Sequence, residues 1–314
     1  MGILVFGSLN MDLVAQTPQL PRPGETCIGR NFLTVPGGKG ANQAVAAARL
    51  GAETYMVGRV GGDRVGTELL ASLRESGVET EGILIDADAS SGVALIIVSD
   101  RGENQIIVVP GANERAGPPD IQRAIALFPQ TTLILLQLEV PLNAIIAIAT
   151  AAKQAGLNVM LDPAPAPDRL PAELYPLIDF LVPNQIEASQ LVGFAVQDRE
   201  SATRAAQEFC DRGVGTAIVK LGDRGLVWAT ATDSGFVAPF PVQAIDTVAA
   251  GDAFAGAFAV ALQRGIPLEE ALHWGAAAGA LSATRSGAQA SLPNLETLET
   301  FMQRGSKVFP TQGR

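Results

Sequence analysis

The sequence predicts an α/β protein with a three-layer α/β/α domain, a mostly parallel central sheet and a small β-sheet lid inserted into it. Three observations predict this. Short apolar runs alternate with longer Ala- and Leu-rich stretches, the pattern of buried parallel strands joined by helices. Glycines stand where the helices should end. Two segments without this alternation interrupt it, and we expect them to form the lid.

The elements of the main domain follow from this alternation. Apolar runs predict strands over residues 3–6, 133–136, 159–161, 180–182 and 217–219. Length and composition predict helices over residues 41–50, 142–155, 201–211 and 253–263. Gly51 and Gly156 directly follow the first two helices, where glycine adopts the left-handed conformation of a helix C-terminus.

The two interrupting segments differ in composition. Residues 14–35 are rich in Pro and Thr and have no helical period, whereas residues 92–109 contain two apolar runs around a polar turn at 99–104, as in a hairpin. We expect both to form one small sheet, called the lid. The sequence is therefore divided into an α/β domain (residues 1–13, 36–91 and 110–304), the lid (14–35 and 92–109) and an unstructured tail (305–314).

Composition excludes several classes of protein. The chain has 314 residues, 47% of them hydrophobic, and a net charge of −10, so it can form a large core and is poorly suited to bind nucleic acid. No apolar run is long and uninterrupted enough to span a membrane, and the first residues do not resemble a signal peptide. Cys27 and Cys210 are far apart and outside any metal motif, which favours free thiols and a cytoplasmic protein.

The strongest motif lies before the fourth predicted helix, at residues 246–254. Small residues at a helix start leave backbone N–H groups accessible to an anion, and the helix dipole favours negative charge there. Asp252 in this turn is either a simple helix cap or a proton acceptor beside the anion site. The second arrangement is what phosphoryl transfer to an alcohol requires.

Two further polar motifs lie in the N-terminal part of the chain, one at the start of a predicted helix and one after the first predicted strand. Residues 36–43 are glycine-rich and open a helix, so they form either a tight turn or a loop that a ligand approaches closely, with Lys39 and Asn42 beside it. Their spacing matches neither a Walker A loop nor a dinucleotide fingerprint. Asn10 and Asp12 follow the first strand and share a face of an extended chain, so they either form a turn or bind hydroxyls.

Other candidates are carboxylates and a turn at strand ends. Glu139 lies at the end of one strand. Glu187 lies in the first turn of a helix and either compensates the helix dipole or holds Mg²⁺. Residues 220–225 form either a plain β-turn or a nucleotide-binding loop. The single histidine, His273, excludes a Ser-His-Asp triad and a multi-histidine metal site.

Taken in order, these segments resemble the ribokinase (PfkB) family of carbohydrate kinases over nearly the whole chain. The resemblance lies in residues 7–12, 20–26, 37–44, 246–252 and 284–289. It implies ATP-dependent transfer of the γ-phosphoryl group to the 5-hydroxyl of D-ribose. Asp252 would be the general base, and the backbone N–H groups of Ala249, Ala250 and Gly251 would form the anion hole.

The resemblance also implies the binding residues. The sugar would be held by Asn10, Asp12, Gly38, Lys39, Asn42 and Glu139. ATP would contact Asn184, Lys220, Gly222, Gly225 and Gly251, and Glu187 would help to hold Mg²⁺. An activating K⁺ would be bound by Asp246, Val248, Ser282, Arg285, Gly287 and Ser291, several of them through backbone carbonyls. The lid would close over the sugar and pair two subunits into a homodimer.

The chain departs from the family pattern at two places. Ala253 and Ala255 stand where the family often has Thr and Asn in a Thr-Phe-Asn-Gly run, the first departure, and Ala276 stands where some members place a His against adenine, the second. Both leave the nucleotide preference open. Two alternative functions remain. One is another sugar or nucleoside kinase of the family, fructokinase-like or a deoxyribose kinase. The other is a non-catalytic sugar-binding protein on the same scaffold.

Overall fold

A computed structural model describes residues 1–308 of the chain, with side chains for residues 1–303. The strands are β1 (Gly2–Phe6), β2 (Asn10–Thr17), β3 (Asn31–Gly37), β4 (Thr54–Gly61), β5 (Val78–Glu79), β6 (Ile83–Asp86), β7 (Gly92–Ser99), β8 (Asn104–Val109), β9 (Thr131–Gln137), β10 (Asn158–Asp162), β11 (Phe180–Leu181), β12 (Thr216–Lys220), β13 (Leu226–Thr230) and β14 (Ser234–Val237). The helices are α1 (Lys39–Arg49), α2 (Arg64–Glu75), α3 (Pro118–Leu127), α4 (Leu142–Gln154), α5 (Gln185–Val192), α6 (Arg199–Asp211), α7 (Ala250–Gln263), α8 (Leu268–Ala283), α9 (Ala288–Ser291) and α10 (Leu295–Val308).

The central sheet has the order β14-β13-β12-β11-β10-β9-β1-β4-β5, and β6 also pairs with β4. Every pair from β5 to β12 is parallel, and only β13 and β14 add to the edge antiparallel. The five predicted strands correspond to β1, β9, β10, β11 and β12. The predicted α/β class with a mostly parallel sheet is confirmed.

Alternate residues of β1 show why the sheet is covered on both faces. Ile3 and Val5 pack into one core with α1, α7 and α8, whereas Leu4 and Phe6 pack into a second core with α4 and α6. All four side chains are fully buried. Each buried side chain of this size contributes about 1.5–3 kcal/mol to stability, so both faces need their layer of helices.

A second sheet of order β3-β2-β7-β8 stands beside the central one. The predicted hairpin is present as the antiparallel pair β7–β8. The ladder extends further than the sequence suggested, because Asn10 pairs with both Gly37 and Gly92. The small sheet therefore includes residues 10–13 and 36–37, which the sequence analysis assigned to the α/β domain.

Strand β8, one of the two outer strands of the small sheet, is exposed along its whole length. Its apolar side chains include Ile106 at 53% and Ile107 at 62% exposure, and Phe32 on β3 is 61% exposed.

The C-terminal prediction is wrong in part, because α10 continues to Val308 where a tail was expected from residue 305. Residues 309–314 of that predicted tail lie outside the described residues. Among residues 1–308, no helix has the length and apolar character that crossing a membrane requires.

Candidate active site

A cleft of about 720 Å³ opens at the carboxyl ends of the parallel strands. β1 lies between β9 and β4 in the sheet, and parallel α/β sheets bind ligands where the strand order reverses in this way. The walls of the cleft come from the ends of β10 and β12, the starts of α1, α5 and α7, and one face of α8. Most of the segments that the sequence analysis singled out contribute to it.

Asp252 lies in the first turn of α7 and lines the cleft. The helix begins at Ala250, three residues earlier than predicted, and its N-cap residue is Ala249. No side chain caps this helix, so the interpretation of Asp252 as a simple cap is wrong. The carboxyl is only 5% exposed, although nothing in the capping of the helix requires an acid there.

The turn before α7 is built around an unusual backbone conformation. Ala249 has a φ of 60°, and it is the one residue other than glycine with positive φ among those that the structure describes. This conformation costs a non-glycine residue about 1–2 kcal/mol. Of the three amides expected to form an anion hole, that of Ala250 donates to the carbonyl of Thr247 at 3.2 Å.

Two side-chain amides hold the Asp252 carboxylate. Asn42 Nδ2 donates to Oδ2 at 3.0 Å, and Gln43 Nε2 donates to Oδ1 at 3.1 Å. Burial raises the pKa of Asp252, and the nearby Asp162 carboxylate raises it further, against the opposing effect of Lys39 and the two amides. The net shift is upward, as expected for a buried carboxyl that is able to take up a proton.

Asp162 is a site residue that the sequence analysis missed. It is 3% exposed, and its carboxylate lies 3.8 Å from Lys39 Nζ and 3.4 Å from Lys220 Nζ. Burial alone would lower the pKa of Lys39, but the carboxylates of Asp162, Asp252 and Glu139 more than offset this and raise it. Both lysines lie on the cleft and are therefore positively charged groups available to an anionic ligand.

The carboxylate of Glu139 is held at the start of α1. Its Oε2 accepts from the Ser8 hydroxyl at 2.5 Å and from the Lys39 backbone N–H at 3.0 Å. Burial, followed by the charges of Glu139 and Asp252, raises the pKa of Asp12 to about 7. Three carboxyl groups predicted at this site are thus close enough to influence one another.

Asn10 and Gly38 complete the polar group around the start of α1. Asn10 Oδ1 accepts from Asn113 Nδ2 at 2.8 Å, which fixes the amide of this buried side chain. Gly38 has a φ of 87°, and a Cβ atom there would lie 2.7 Å from the Asn10 backbone nitrogen. Only glycine therefore allows the two segments to approach this closely. Asn113 was not predicted, because an isolated polar residue has no recognisable spacing, and Ser8 stood within the segment 7–12 without an assigned role.

The candidates at the other end of the cleft surround α5 and the turn after β12. Asn184 is the N-cap residue of α5 and forms a capping box with Glu187. Glu187 Oε2 accepts from the Asn184 backbone N–H at 2.7 Å, and Glu187 Oε1 accepts from Asn184 Nδ2 at 2.6 Å. Burial and the Asp162 charge raise the pKa of Glu187, partly offset by Lys220. The position of Glu187 is consistent with both interpretations, compensation of the helix dipole and binding of Mg²⁺, because the residue lies in the first turn of α5 and also lines the cleft.

Three of the predicted nucleotide contacts at this end are glycines. Gly222 and Gly225 have positive φ values of 63° and 90° and form the turn after β12. A Cβ atom on Gly251 would lie 3.5 Å from Lys220 Nζ. Ala276 lines the cleft, whereas Ala255 is fully buried and does not, so of the two departures from the family pattern only Ala276 is in a position to affect a bound nucleotide directly.

The predicted cation ligands lie in the loop before α7 and in the loop between α8 and α9, together with Ser282 near the end of α8 and Ser291 at the end of α9. Asp246 joins the two loops, since Oδ1 accepts from Val248 N and Oδ2 from Gly287 N, both at 3.0 Å. Ser282 Oγ and Ser291 Oγ are 2.7 Å apart and fully buried. Arg285 N donates to the carbonyl of Ser282 at 3.0 Å. In the part of the chain that the structure describes, no cluster of three or more His, Cys, Asp or Glu side chains is arranged to hold a metal ion.

Comparison with known proteins gives a consistent result. Residues 2–295 match the model of the pfkB family carbohydrate kinases. The chain is 41% identical to a ribokinase of Haemophilus influenzae, covering 95% of this chain and 97% of that one. It is 37% identical to a deoxyribokinase of Salmonella typhi, covering 96% and 99%. Among solved structures, an Arabidopsis thaliana ribokinase complexed with ribose and ATP is 34% identical, with a TM-score of 0.88 over 96% of this chain and 98% of that one.

Proposed function

We propose that this chain, which belongs to the pfkB family of carbohydrate kinases, phosphorylates D-ribose at O5 with ATP and releases D-ribose 5-phosphate and ADP. The observation that carries the proposal is the position of Asp252. Its buried carboxyl lies at the start of α7, on a cleft that two lysines also line. Relatives named as ribokinases over almost the full length support ribose as the sugar.

The proposed chemistry is a direct transfer. Asp252 takes the proton of the 5-hydroxyl while that oxygen attacks the γ-phosphorus of ATP, and the bond from this phosphorus to the β,γ-bridging oxygen breaks. The charge that develops on the migrating group is stabilised by the amides at 249–251 and by Lys39. The Ala250 amide must exchange its bond to Thr247, whose length of 3.2 Å is at the long end of the normal range, for a bond to the phosphoryl oxygen.

The sugar hydroxyls are assigned to the group around the start of α1. Carboxylates accept hydrogen bonds from hydroxyls, and side-chain amides both donate and accept. The residues of this group are Asn10, Asp12, Gly38, Lys39, Asn42 and Glu139. Asn42 supports the assignment most directly, because its buried Oδ1 has no hydrogen-bond partner in the protein and is therefore free to accept from a sugar hydroxyl.

ATP is assigned to the other end of the cleft. Its contacts would be Asn184, Lys220, Gly222, Gly225 and Gly251. Mg²⁺ prefers carboxylate oxygens and retains several waters, and Glu187 on the cleft wall fits an ion held through water beside the phosphates. When bound, the ion neutralises charge on the phosphate oxygens. Glu187 would help to hold the ion while its Oε2 still accepts from the Asn184 backbone N–H.

K⁺ is assigned to the two loops joined by Asp246. Backbone carbonyls and hydroxyls are suitable ligands for this ion, and Ser282 and Ser291 supply two buried hydroxyl oxygens in addition to the Asp246 carboxylate. The donor set therefore fits a monovalent cation. Its charge would favour the anion site at the start of α7, and the loop would orient the amides there.

The small sheet is assigned two roles. Because β2 carries both Asn10 and Asp12, the sheet is positioned to close over the sugar as a lid. Its exposed apolar strands β3 and β8 would pair with those of a second copy to give a homodimer. A cytoplasmic location agrees with the two unpaired cysteines.

The decisive experiment measures ADP formation with ATP, Mg²⁺ and K⁺ over a panel of ribose, 2-deoxyribose, fructose and nucleosides. We expect the highest kcat/KM with ribose. The deoxyribokinase relative makes 2-deoxyribose the second candidate, and a higher kcat/KM with that sugar would replace the first proposal. Absence of turnover with every sugar, together with measurable ribose binding, would indicate a non-catalytic sugar-binding protein.

A further inference from the structure

Gln43 is fully buried in α1, and its side chain contacts two carboxylates at once. Nε2 donates to Asp252 Oδ1 and to Asp162 Oδ2, each at 3.1 Å. A side-chain amide has only two N–H groups, so both are used here. Gln43 is therefore the one group in the described site that hydrogen-bonds to both acids.

A second glutamine fixes the orientation of this amide. Gln137 Nε2 donates to Gln43 Oε1 at 2.6 Å. If the Gln43 amide were reversed, its oxygen would face the oxygens of Asp162 and Asp252, and its N–H groups would face the Gln137 donor. The observed orientation is the only one in which every contact pairs a donor with an acceptor.

The position of Gln137 has its own structural requirement. It is the last residue of β9, and it pairs in the sheet with Asp162 at the end of β10. A Cβ atom on Gly7 would lie 2.0 Å from Gln137 Oε1, so the side chain reaches Gln43 only because β1 is followed by glycine. Gln137 Oε1 is buried without a hydrogen-bond partner, which lowers the stability of the folded protein. This unpaired oxygen is the consequence of directing Nε2 of the same amide to Gln43.

We propose that Gln43 is a positioning residue for phosphoryl transfer: it orients the Asp252 carboxylate towards the substrate, and Gln137 holds the Gln43 amide in its donating orientation. The inference rests on the proposed function, because it requires Asp252 to accept the proton of a sugar hydroxyl. Gln43 itself touches neither the sugar nor ATP in this assignment. It acts through the acid, so its removal should change the chemical step more than substrate binding.

The charged groups around Asp252 come from several elements. Lys39 on α1 opposes its protonation, whereas Asp162 on β10 favours it, and the carboxyl also interacts with Asp12 on β2. Lys220 on β12 forms an ion pair with Asp162 at 3.4 Å. Gln43→Met changes none of these four charged groups, so a change in the titration of the acid would report the loss of the amide's bonds to Asp252 and Asp162.

The test uses Gln43→Met, which keeps the length of the side chain and removes the donor. We expect kcat for ribose to fall about 10- to 100-fold, the usual effect of losing a hydrogen bond to a charged group, with KM within about threefold of the parent. Because the lost bond favoured the ionised acid, the acid limb of kcat/KM should move upward by about one pH unit. Gln137→Met should shift both quantities in the same direction by less.

Thr54→Val is the matched control, since Thr54 is buried in β4 and its hydroxyl donates only to the Ala52 carbonyl at 3.0 Å. It should alter thermal stability without moving the acid limb. An unchanged kcat and acid limb in Gln43→Met would overturn the inference while leaving the proposed function intact. Absence of ribose phosphorylation by the parent protein would instead overturn the proposed function. If Gln43→Met does not fold, Gln137→Met provides the test of the inference. A parent-like kcat and acid limb in Gln137→Met would then overturn it.

Discussion

Asn42 and Asp252 are 210 residues apart in the sequence and joined by a hydrogen bond of 3.0 Å between Nδ2 and Oδ2. The contact connects the glycine-rich segment that opens α1 with the turn that opens α7. The first turns of two helices are therefore in direct contact, because α1 supplies two side-chain amides, those of Asn42 and Gln43, to the carboxylate that α7 carries. This convergence gives the first expectation for the reaction.

Asp252→Asn should lower kcat for ribose by about 10²- to 10⁴-fold, the usual contribution of a general base, because it removes the proton acceptor and keeps the shape of the side chain. Ribose should still bind, which isothermal titration calorimetry would measure. Asp211→Asn, at an exposed position at the end of α6, is the control and should retain parent activity. Turnover within tenfold of the parent in Asp252→Asn would refute the assignment of the base.

Asp12 should make stability depend on pH. Its pKa is raised from 3.8 to about 7 in the folded protein, so the native state binds more protons than the unfolded state between these values. The contribution of this group to the free energy of unfolding therefore falls as pH rises from about 4 to about 7. Asp12→Asn removes this penalty and should stabilise the protein relative to the parent more at pH 8 than at pH 5.

Urea unfolding at the two pH values measures this difference, with Asp211→Asn again as the control. An equal effect of Asp12→Asn at pH 5 and pH 8 would contradict the raised pKa. The same substitution should weaken ribose binding at pH 8, because the carboxylate is the stronger acceptor for a hydroxyl.

Exchange of K⁺ for Na⁺ at constant ionic strength should reduce kcat if the two loops joined by Asp246 bind the cation. Asp246→Ala removes the acceptor of both the Val248 and Gly287 amides, so it should lower kcat and remove the difference between the two salts. Initial rates in KCl and NaCl test both statements. Equal rates of the parent protein in the two salts would count against the cation site.

The small sheet should mediate dimerisation. Ile107→Glu places a charge on the exposed apolar strand β8 and should convert a dimer into a monomer in sedimentation-velocity experiments. Ile85→Glu is the matched control, since Ile85 is 63% exposed on β6 of the central sheet and should leave the dimer unchanged. A monomeric parent protein at micromolar concentration would contradict the assignment.

Much of the architecture was predictable from the sequence, because buried parallel strands and Ala-rich helices leave a clear apolar pattern. The strand β4 was missed, and its residues show why. Gly58 and Arg59 interrupt an otherwise apolar run, yet Gly58 is required because a Cβ atom there would lie 2.5 Å from the Gly7 carbonyl oxygen. The interruption is a packing requirement between neighbouring strands, which the local sequence does not reveal.

The site was predictable where several polar or small residues stand together, as at residues 36–43 and 246–254. Asp162 was missed because it precedes a proline at a strand end and resembles a turn former. Its importance comes from Lys39 and Lys220, which approach it from other parts of the chain. Gln43 stood within a recognised motif, but its role depends on Gln137, and no local pattern joins the two.

The strand β2 pairs with both β3 and β7 in the small sheet, and it also carries Asn10 and Asp12. In the proposed function, one strand would therefore both bind the sugar and carry the lid that encloses the reaction. We expect a molecule that does not engage this strand, water above all, to leave the cleft open and the phosphoryl donor unreactive. Protection of ATP against wasteful hydrolysis would then follow from the connectivity of a single strand, without a separate gate.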